Sequence, residues 1–171
     1  PPPRAAAIED YVAFSGELPD PGNATLAEIA NAVLEVIAVE GPVTGARLQQ
    51  VYADSLGWDS IPSRNRSDIA KALVELGRTD RIVVDNPREN ADWLEHAFRT
   101  PDQSAARART LGPRALDQMP LAEVALLLDV ARYQVGDGTG DDVFRAVLRR
   151  LGLTRLDDRI RTFLRTADQL G

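Results

Sequence analysis

Arginine side chains supply most of the chemistry that this sequence could perform. A guanidinium group is a planar cation that keeps its charge and pairs well with phosphate oxygens. Basic residues concentrate in two windows: 61–81 holds 5 basic and 3 acidic residues, and 143–171 holds 7 basic and 3 acidic residues. The other windows are acidic, and the whole chain carries a net charge of −6. The sequence therefore predicts local phosphate contacts, and not polyanion binding by the protein as a whole.

Each basic window is predicted to contain the third helix of a three-helix unit, whose outward face could enter the major groove of DNA. The candidate nucleic-acid contacts are Arg64, Asn65, Arg66, Lys71, Arg81, Arg88, Arg149, Arg155, Arg159, Arg161 and Arg165. Two alternatives remain open. The pairs Arg64–Asp68 and Lys71–Glu75 have the i,i+4 spacing of an ordinary solvated helix. The second arginine cluster could equally face an acidic protein surface.

Catalytic, metal-binding and cofactor-binding patterns are absent from the sequence. The chain has no cysteine, which excludes disulfides and thiolate zinc sites. No nucleophile is spaced to form a catalytic triad with His96, the only histidine. The glycine-rich stretch Gly136–Asp142 follows a predicted helix, lacks lysine and carries three aspartates that would repel phosphate. We therefore expect no cofactor, no metal, no small-molecule ligand and no catalysis by this chain itself.

Membrane and export signals are also missing. No apolar run approaches the roughly 20 residues that a membrane span needs, and the amino-terminal residues lack the apolar segment of a signal peptide. These absences predict a cytoplasmic protein with no membrane partner. The chain opens on three prolines and no methionine, which is typical of a piece of a longer protein.

A sharp corner separates the first two predicted helices. Thr25 and Glu28 form a capping-box pattern at the start of a helix predicted over 26–39. Gly41 predicts a left-handed C-cap, and Pro42 prevents the helix from continuing. The short connection indicates a helix-turn-helix.

The following residues complete a winged-helix pattern. Thr44 predicts the cap of a second helix, which ends near Leu56–Gly57. Pro62 and Ser63 predict the start of a third helix, which stops at Gly77. Two strands of a hairpin follow, predicted at 81–84 and Trp93–Leu94.

An internal repeat relates the two halves of the chain. LAEIA at 26–30 corresponds to LAEVA at 121–125, a spacing of 95 residues. The same spacing relates Gly41 to Gly136, Thr44 to Thr139 and Leu56-Gly57 to Leu151-Gly152. Beyond that point the second copy is predicted to be about four residues shorter, so that Ile69 aligns with Ile160. The helices of the second copy are predicted at 120–135, 140–151 and 157–169, which leaves no room for a wing.

The predicted fold is therefore mainly α with a small β-hairpin, arranged as tandem winged-helix or helix-turn-helix repeats. The predicted divisions are a linker with a short helix near 5–14 (1–24), a winged-helix domain (25–98), a polar connector (99–119) and a second three-helix repeat (120–171).

The stretches IANAVLEVIAVEGPVTGARLQQVYADSLGW and LAEVALLLDV…VFRAVLRRLGLTRLDDRIRTFL resemble a known family. They are similar to an uncharacterised domain at the carboxyl end of large bacterial superfamily 1 helicase and endonuclease-like proteins. The matching residues are Val36, Glu40, Gly41, Pro42, Val43 and Gly57. The resemblance spans 24–171 and implies a piece of an ATP-driven machine that acts on DNA. The motor itself is not in this piece, since no GxxxxGK[ST] motif occurs here.

Two functional hypotheses follow. The first is a non-catalytic module that binds duplex or forked DNA through its third helices and wing, as an accessory of a helicase-like parent. On this hypothesis, replacing Arg155, Arg159 and Arg161 together should reduce both the affinity for DNA and its salt dependence. The alternative is a protein-interaction or regulatory module that packs on the parent motor or on a partner. A continuous positive face would favour DNA, and arginines paired with acids would favour protein interaction.

Overall fold

A computed structural model describes residues 7–171. They form a mainly helical protein with one small antiparallel sheet of three strands, which confirms the coarse fold class. The chain divides into two compact units. Val12–Ala105 form the helix–sheet unit, and residues 7–11 together with Ala106–Gly171 form the helical unit.

The predicted helix ends agree with the observed ones to within about one residue. The helix–sheet unit contains α1 (Leu26–Glu40), β1 (Val43–Thr44), α2 (Gly45–Leu56), α3 (Ser63–Arg78), β2 (Val83–Asp85) and β3 (Ala97–Arg99). The helical unit contains α4 (Leu121–Val135), α5 (Gly140–Arg150) and α6 (Asp158–Asp168). Single turns of 3-10 helix lie at Trp93–Glu95 and Leu116–Gln118.

The sheet is more extensive than the predicted hairpin. Its strand order is β1-β3-β2, and both neighbouring pairs are antiparallel. The central residue Phe98 is buried and pairs with Val43 on one side and Val84 on the other. The strand predicted at Trp93–Leu94 is wrong. Asp92 accepts a hydrogen bond from the Leu94 N–H at 3.0 Å and closes a 3-10 turn there, so the strand begins only at Ala97.

Side-chain caps fix the starts of the first two helices as predicted. The Thr25 hydroxyl accepts from the Glu28 N–H at 3.2 Å, and the Glu28 carboxylate accepts from the Thr25 N–H at 2.7 Å. The Thr44 hydroxyl accepts from the Arg47 N–H at 3.2 Å. These bonds satisfy backbone donors that a helix start otherwise leaves unpaired.

The end of α1 is capped by a distant side chain and not by a left-handed glycine. Gly41 has φ −65° and ψ 147°, so the predicted left-handed C-cap is wrong. The side-chain amide of Gln103 donates to the carbonyl oxygens of Ile37 and Ala38, both at 3.1 Å. A side chain at Gly41 would collide with Gln103. Glycine is therefore needed here for space and not for backbone freedom.

A buried ion pair joins α1 to α2. Arg47 donates from Nε and Nη2 to the two carboxylate oxygens of Glu40, at 2.9 and 3.0 Å. The two side chains are 5% and 0% exposed. Glu40 Oε1 also accepts from the Phe14 N–H at 2.8 Å. Because a buried carboxylate is costly unless its oxygens are hydrogen-bonded, this geometry ties two helices and the amino-terminal segment to one point.

The helical unit has a corresponding centre at Glu123 on α4. Arg109 and Arg114 donate to both of its carboxylate oxygens at 2.6–3.2 Å. All three side chains are at most 2% exposed. The Tyr11 ring lies against both guanidinium groups, at 4.9 Å from Arg109 and 4.0 Å from Arg114. These cation–π contacts add attraction to the ion pairs and bring Tyr11 into the same cluster.

The segment predicted as a polar connector is folded into this centre. Within 99–119, Arg109, Arg114 and Met119 are all buried. The polar composition of the segment predicted a connector, whereas Arg109 and Arg114 are buried against a carboxylate.

The amino-terminal segment predicted as a linker is also folded. Positions 5 and 6 of the predicted short helix lie outside the described residues, and 7–14 are not helical. Glu9 instead forms a parallel β-bridge with Arg109. Further along, Leu18 is buried and the Tyr52 hydroxyl donates to the Pro19 carbonyl at 2.8 Å.

Buried residues recur in the two units at a constant spacing of 95. The corresponding buried pairs are Ile29/Val124, Ala32/Leu127, Val33/Leu128, Val36/Ala131, Leu48/Val143, Tyr52/Val147, Ala53/Leu148, Ile69/Leu164 and Ala72/Ala167. The first residues of α3 and α6, Ser63 and Asp158, keep the same spacing. The predicted shortening that aligned Ile69 with Ile160 is therefore wrong, because α6 is shorter at its end and not before its start.

Replacing Arg47 with methionine is expected to lower the free energy of unfolding of the helix–sheet unit by about 3–5 kcal/mol, because Glu40 would remain buried without its cation. The double variant Glu40→Leu/Arg47→Met should lose less, since no unpaired charge remains. Urea unfolding followed by tryptophan fluorescence measures this, because both tryptophans, Trp58 and Trp93, belong to this unit.

Arg78→Met is the matched control for that measurement. Arg78 makes an equally short two-point pair with Glu75, at 2.7 and 3.0 Å, but the side chains are 70% and 42% exposed. Solvent screens such a pair, so its loss should change stability much less. Equal losses in the two single variants would contradict the role assigned to burial.

Candidate nucleic-acid interface

One face of α3 is an exposed stripe without an acidic residue. We call it the α3 stripe, and it consists of Arg64, Ser67, Lys71, Val74 and Arg78. These residues follow one another at alternating spacings of three and four, which places side chains on one side of an α-helix. The opposite face of α3 is buried in the core through Ile69, Ala72, Leu73 and Leu76. Core packing therefore holds the α3 stripe outward.

The acidic residues of α3 lie beside this stripe. Lys71 Nζ is 3.6 Å from Asp68, and Arg78 pairs with Glu75. Both pairs have i,i+3 spacing. The i,i+4 pairs that the sequence predicted, Arg64–Asp68 and Lys71–Glu75, are not formed. The Asp68 and Glu75 side chains are 32% and 42% exposed, against 66% for Lys71 and 70% for Arg78. Hydrogen bonds from Arg78 lower the pKa of Glu75. The cations are thus more exposed than the acids that pair with them.

The first turn of α3 carries three of the predicted contacts. Arg64 is exposed and forms no ion pair with any of residues 7–171. Arg66 is half-buried and donates to the Ser63 hydroxyl at 3.1 Å. Asn65 is half-buried beside the turn at Gly22. No side chain caps α3. The partial positive charge at its start is therefore not offset by a capping oxygen.

The basic residues of the predicted wing lie on both sides of β2. Arg81 and Arg88 are exposed, and neither forms an ion pair within the described part of the chain. The Asn86 side chain closes the loop by donating to the Asn90 carbonyl at 2.8 Å and accepting from the Asn90 N–H at 2.9 Å. Asn86 and Asn90 thus shape the loop. Glu89 is exposed next to Arg88 and offsets part of its charge.

Two of the predicted contacts in the helical unit are exposed but paired. Arg155 lies 3.3 Å from Asp157, and Arg159 lies 2.7 Å from Asp117. The arginine side chains are 84% and 85% exposed. Ion pairs in such exposed positions are weak, so a phosphate could compete with the aspartate.

Arg161 has a structural role in the helical unit. Its Nε and Nη2 donate to Asp141 at 3.2 and 3.1 Å, and its Nη1 donates to Asp158 at 2.8 Å. Its side chain is only 22% exposed. The hydrogen bond to Arg161 lowers the pKa of Asp141, and the same bond raises the pKa of Arg161. Arg161 therefore joins the starts of α5 and α6.

Four other arginines of the helical unit form no ion pair with the described residues: Arg145, Arg149, Arg150 and Arg165. Arg149 and Arg150 line a cavity of about 310 Å³ together with Gln134, Val135 and Ala146. Arg145 and Arg165 help to lower the pKa of Asp141 through their charge. Paired and unpaired arginines are therefore mixed in this unit.

His96 and the glycine-rich stretch Gly136–Asp142, considered above for catalysis and for phosphate binding, are hydrogen-bonded within the fold. His96 Nε2 lies 2.6 Å from the Asn90 carbonyl oxygen. Thr139 and Asp142 form a capping box at the start of α5, and these bonds lower the pKa of Asp142. No cluster of three or more potential ligands in residues 7–171 could hold a metal ion. None of the helices in that range has the length and apolar character needed to cross a membrane.

No protein-family model, no curated protein and no solved structure matches this chain.

Val74 is the member of the α3 stripe that the sequence pattern did not single out. The i,i+4 pairs instead placed Asp68 and Glu75 on the same face as Arg64 and Lys71. The alternating spacing of three and four that starts at Arg64 was sufficient to find Val74. The pairing of Arg159 with Asp117 and of Arg161 with Asp141 had no comparable signal, because these partners are distant in sequence.

Replacing Arg161 with methionine is expected to raise the pKa of Asp141 toward the ordinary aspartate value of about 3.9, because Arg161 holds it low. The pH titration of the Asp141 carboxyl ¹³C resonance measures this. Asp142 is the internal control, since its pKa is lowered by hydrogen bonds with Thr139 that the variant keeps. An unchanged Asp141 titration would mean that Arg161 is not bound to it in solution.

Proposed function

We propose that the protein is a non-catalytic DNA-binding module built from two winged-helix or helix-turn-helix repeats. The order α1-β1-α2-α3-β2-β3 and the strand order β1-β3-β2 are those expected of a winged helix. The recurrence of buried residues at a spacing of 95 supports an internal duplication. The helical unit is then the second repeat, without the sheet.

The α3 stripe is the observation that carries the proposal. An α-helix fits the major groove of B-DNA, which is about 12 Å wide. Inserted there, α3 would place Arg64, Lys71 and Arg78 against phosphates and Ser67 toward base edges. No acidic residue lies on the stripe to oppose this approach. The net charge of the whole chain does not argue against it, because screening limits charge effects to about 10 Å.

Residues outside α3 would extend the contact. Arg81 and Arg88 flank β2 and would reach the sugar-phosphate backbone beside the groove. They supply affinity and orientation, and not sequence preference. Arg66 and Asn65 are only half-buried at the start of α3 and remain within reach of a phosphate there.

The helical unit would contribute more weakly. The stretch Arg64-Asn65-Arg66-Ser67 recurs 95 residues later as Arg159-Ile160-Arg161-Thr162, which supports an equivalence of α3 and α6. Arg149 and Arg165 form no ion pair within the described part of the chain and are the better phosphate contacts. Arg155 and Arg159 would first have to leave their aspartates, and Arg161 would remain bound within the unit.

The larger context is proposed from the resemblance alone. The match at Val36, Glu40 and Gly41 to the carboxyl-terminal domain of helicase-like proteins favours an accessory role beside an ATP-driven motor. The partners would then be duplex or forked DNA and the other domains of the parent protein.

A protein-interaction role is the second candidate, and one cavity favours it. Leu116, Ile160 and Phe163 line an opening of about 310 Å³ in the helical unit. Asp117, Asp157 and Arg159 also line it. An apolar floor with charged groups of both signs is suited to a protein surface and poorly suited to a phosphate backbone.

The triple variant Arg64→Gln/Lys71→Gln/Arg81→Gln tests the DNA proposal. It should weaken binding to a short labelled duplex and reduce the slope of log Kd against log salt concentration by about 2–3, because three phosphate contacts are lost. Fluorescence anisotropy over a range of salt concentrations measures both quantities.

The matched control is Arg155→Gln/Arg159→Gln/Arg161→Gln, which removes the same number of charges from the helical unit. It should weaken binding less, since each of these arginines is paired with an aspartate. Equal effects of the two triple variants would contradict the leading role of α3. Absence of salt-dependent binding by the unaltered protein would leave the protein-interaction role as the better proposal.

A further inference from the structure

The α3 stripe contains one side chain that phosphate binding does not explain. Val74 is 71% exposed, the most exposed large hydrophobic side chain among residues 7–171. Valine is a poorer helix former than alanine or lysine, so helix formation does not favour it at this position.

An isolated exposed valine is ordinary, but Val74 is not isolated. Gly77 follows it by one turn of α3, and a Cβ atom placed on Gly77 would lie 3.8 Å from Val84 on β2. Val84 is itself 42% exposed. Val74, Gly77 and Val84 therefore form an apolar patch, which has Lys71 and Arg78 on either side of Val74 along the stripe.

A partner of this patch must combine negative charge at its margins with an apolar group between them. The major groove of DNA has this arrangement, with phosphates along both edges and the C5-methyl group of thymine on its floor. The major groove of duplex RNA is too deep and narrow for a side chain to read, and uracil lacks the methyl group.

We infer that Val74 contacts the C5-methyl group of a pyrimidine, so that the module prefers thymine or 5-methylcytosine where the second half of α3 meets the groove. This inference rests on the proposed DNA-binding function and adds a preference to it. Contact between the valine methyl groups and the base methyl group would remove apolar surface of both from water. The basic residues of the stripe would hold α3 in place without distinguishing bases.

The test compares duplexes that differ only in these methyl groups. One pair has an alternating A·T sequence with either thymine or uracil, and the other has an alternating G·C sequence with either 5-methylcytosine or cytosine. The full chain should bind the methylated member of each pair about threefold to fourfold more tightly, the effect of burying one methyl group. Fluorescence anisotropy at a single salt concentration measures the ratios.

Val74→Ala should bring both ratios close to one while retaining most of the affinity for the unmethylated duplexes. Val39→Ala is the matched control, because Val39 is also exposed, at 39%, but lies on α1. It should leave both ratios unchanged. Tryptophan fluorescence during urea unfolding checks that both variants remain folded.

The outcomes separate this inference from the proposed function. Salt-dependent binding with equal affinity for methylated and unmethylated duplexes would overturn the inference and leave DNA binding intact. Discrimination that persists in Val74→Ala would also overturn it, since another residue would then read the methyl group. Failure to bind any of the four duplexes would overturn both proposals.

Discussion

A carboxylate that is removed from water must receive hydrogen bonds from the protein, and each unit of this protein is arranged around one such group. Glu40 receives them from Arg47 and from the backbone at Phe14. Glu123 receives them from Arg109 and Arg114. In both units, the buried acid connects the segment that precedes the first helix with the helix bundle itself. The two carboxylates do not follow the spacing of 95 seen for the buried residues, since Glu40 lies at the end of α1 and Glu123 at the start of α4.

This arrangement divides the arginines of the protein into groups with different roles. Arg47, Arg109 and Arg114 are buried inside the units, where they pair with carboxylates, and they add no charge to the surface. Arg161 is mostly shielded by two aspartates. The cations of the α3 stripe remain exposed, with acids only at their sides. The pairing partner and the burial of each arginine therefore indicate its role better than the net charge of the surrounding sequence does.

Capping residues and apolar periodicity predicted α1, α2 and α3, because both depend on nearby residues. The repeat extended that prediction to α4, α5 and α6. Two errors arose where a distant residue decides the local structure: Gly41 is required by Gln103, and Arg109 is buried by Glu123. The error at Trp93–Leu94 was local, because the Asp92 side chain closes a 3-10 turn there and β3 begins only afterwards. The candidate site shows the same division. Arg64 and Lys71 were found from sequence, whereas the pairing of Arg159 with Asp117 depends on tertiary structure.

The helical unit is assembled from two stretches of chain with the helix–sheet unit encoded between them. Tyr11 hydrogen-bonds to Thr110, which is 99 residues later. At ribosomal rates of about 5–20 residues per second, Thr110 is added on the order of 5–20 s after Tyr11. The helix–sheet unit is complete at Ala105 and can fold before α4, α5 and α6 are made, whereas the amino-terminal segment at Tyr11 must wait for Thr110. Vectorial synthesis therefore imposes an order of maturation in which the sheet-containing half is finished first.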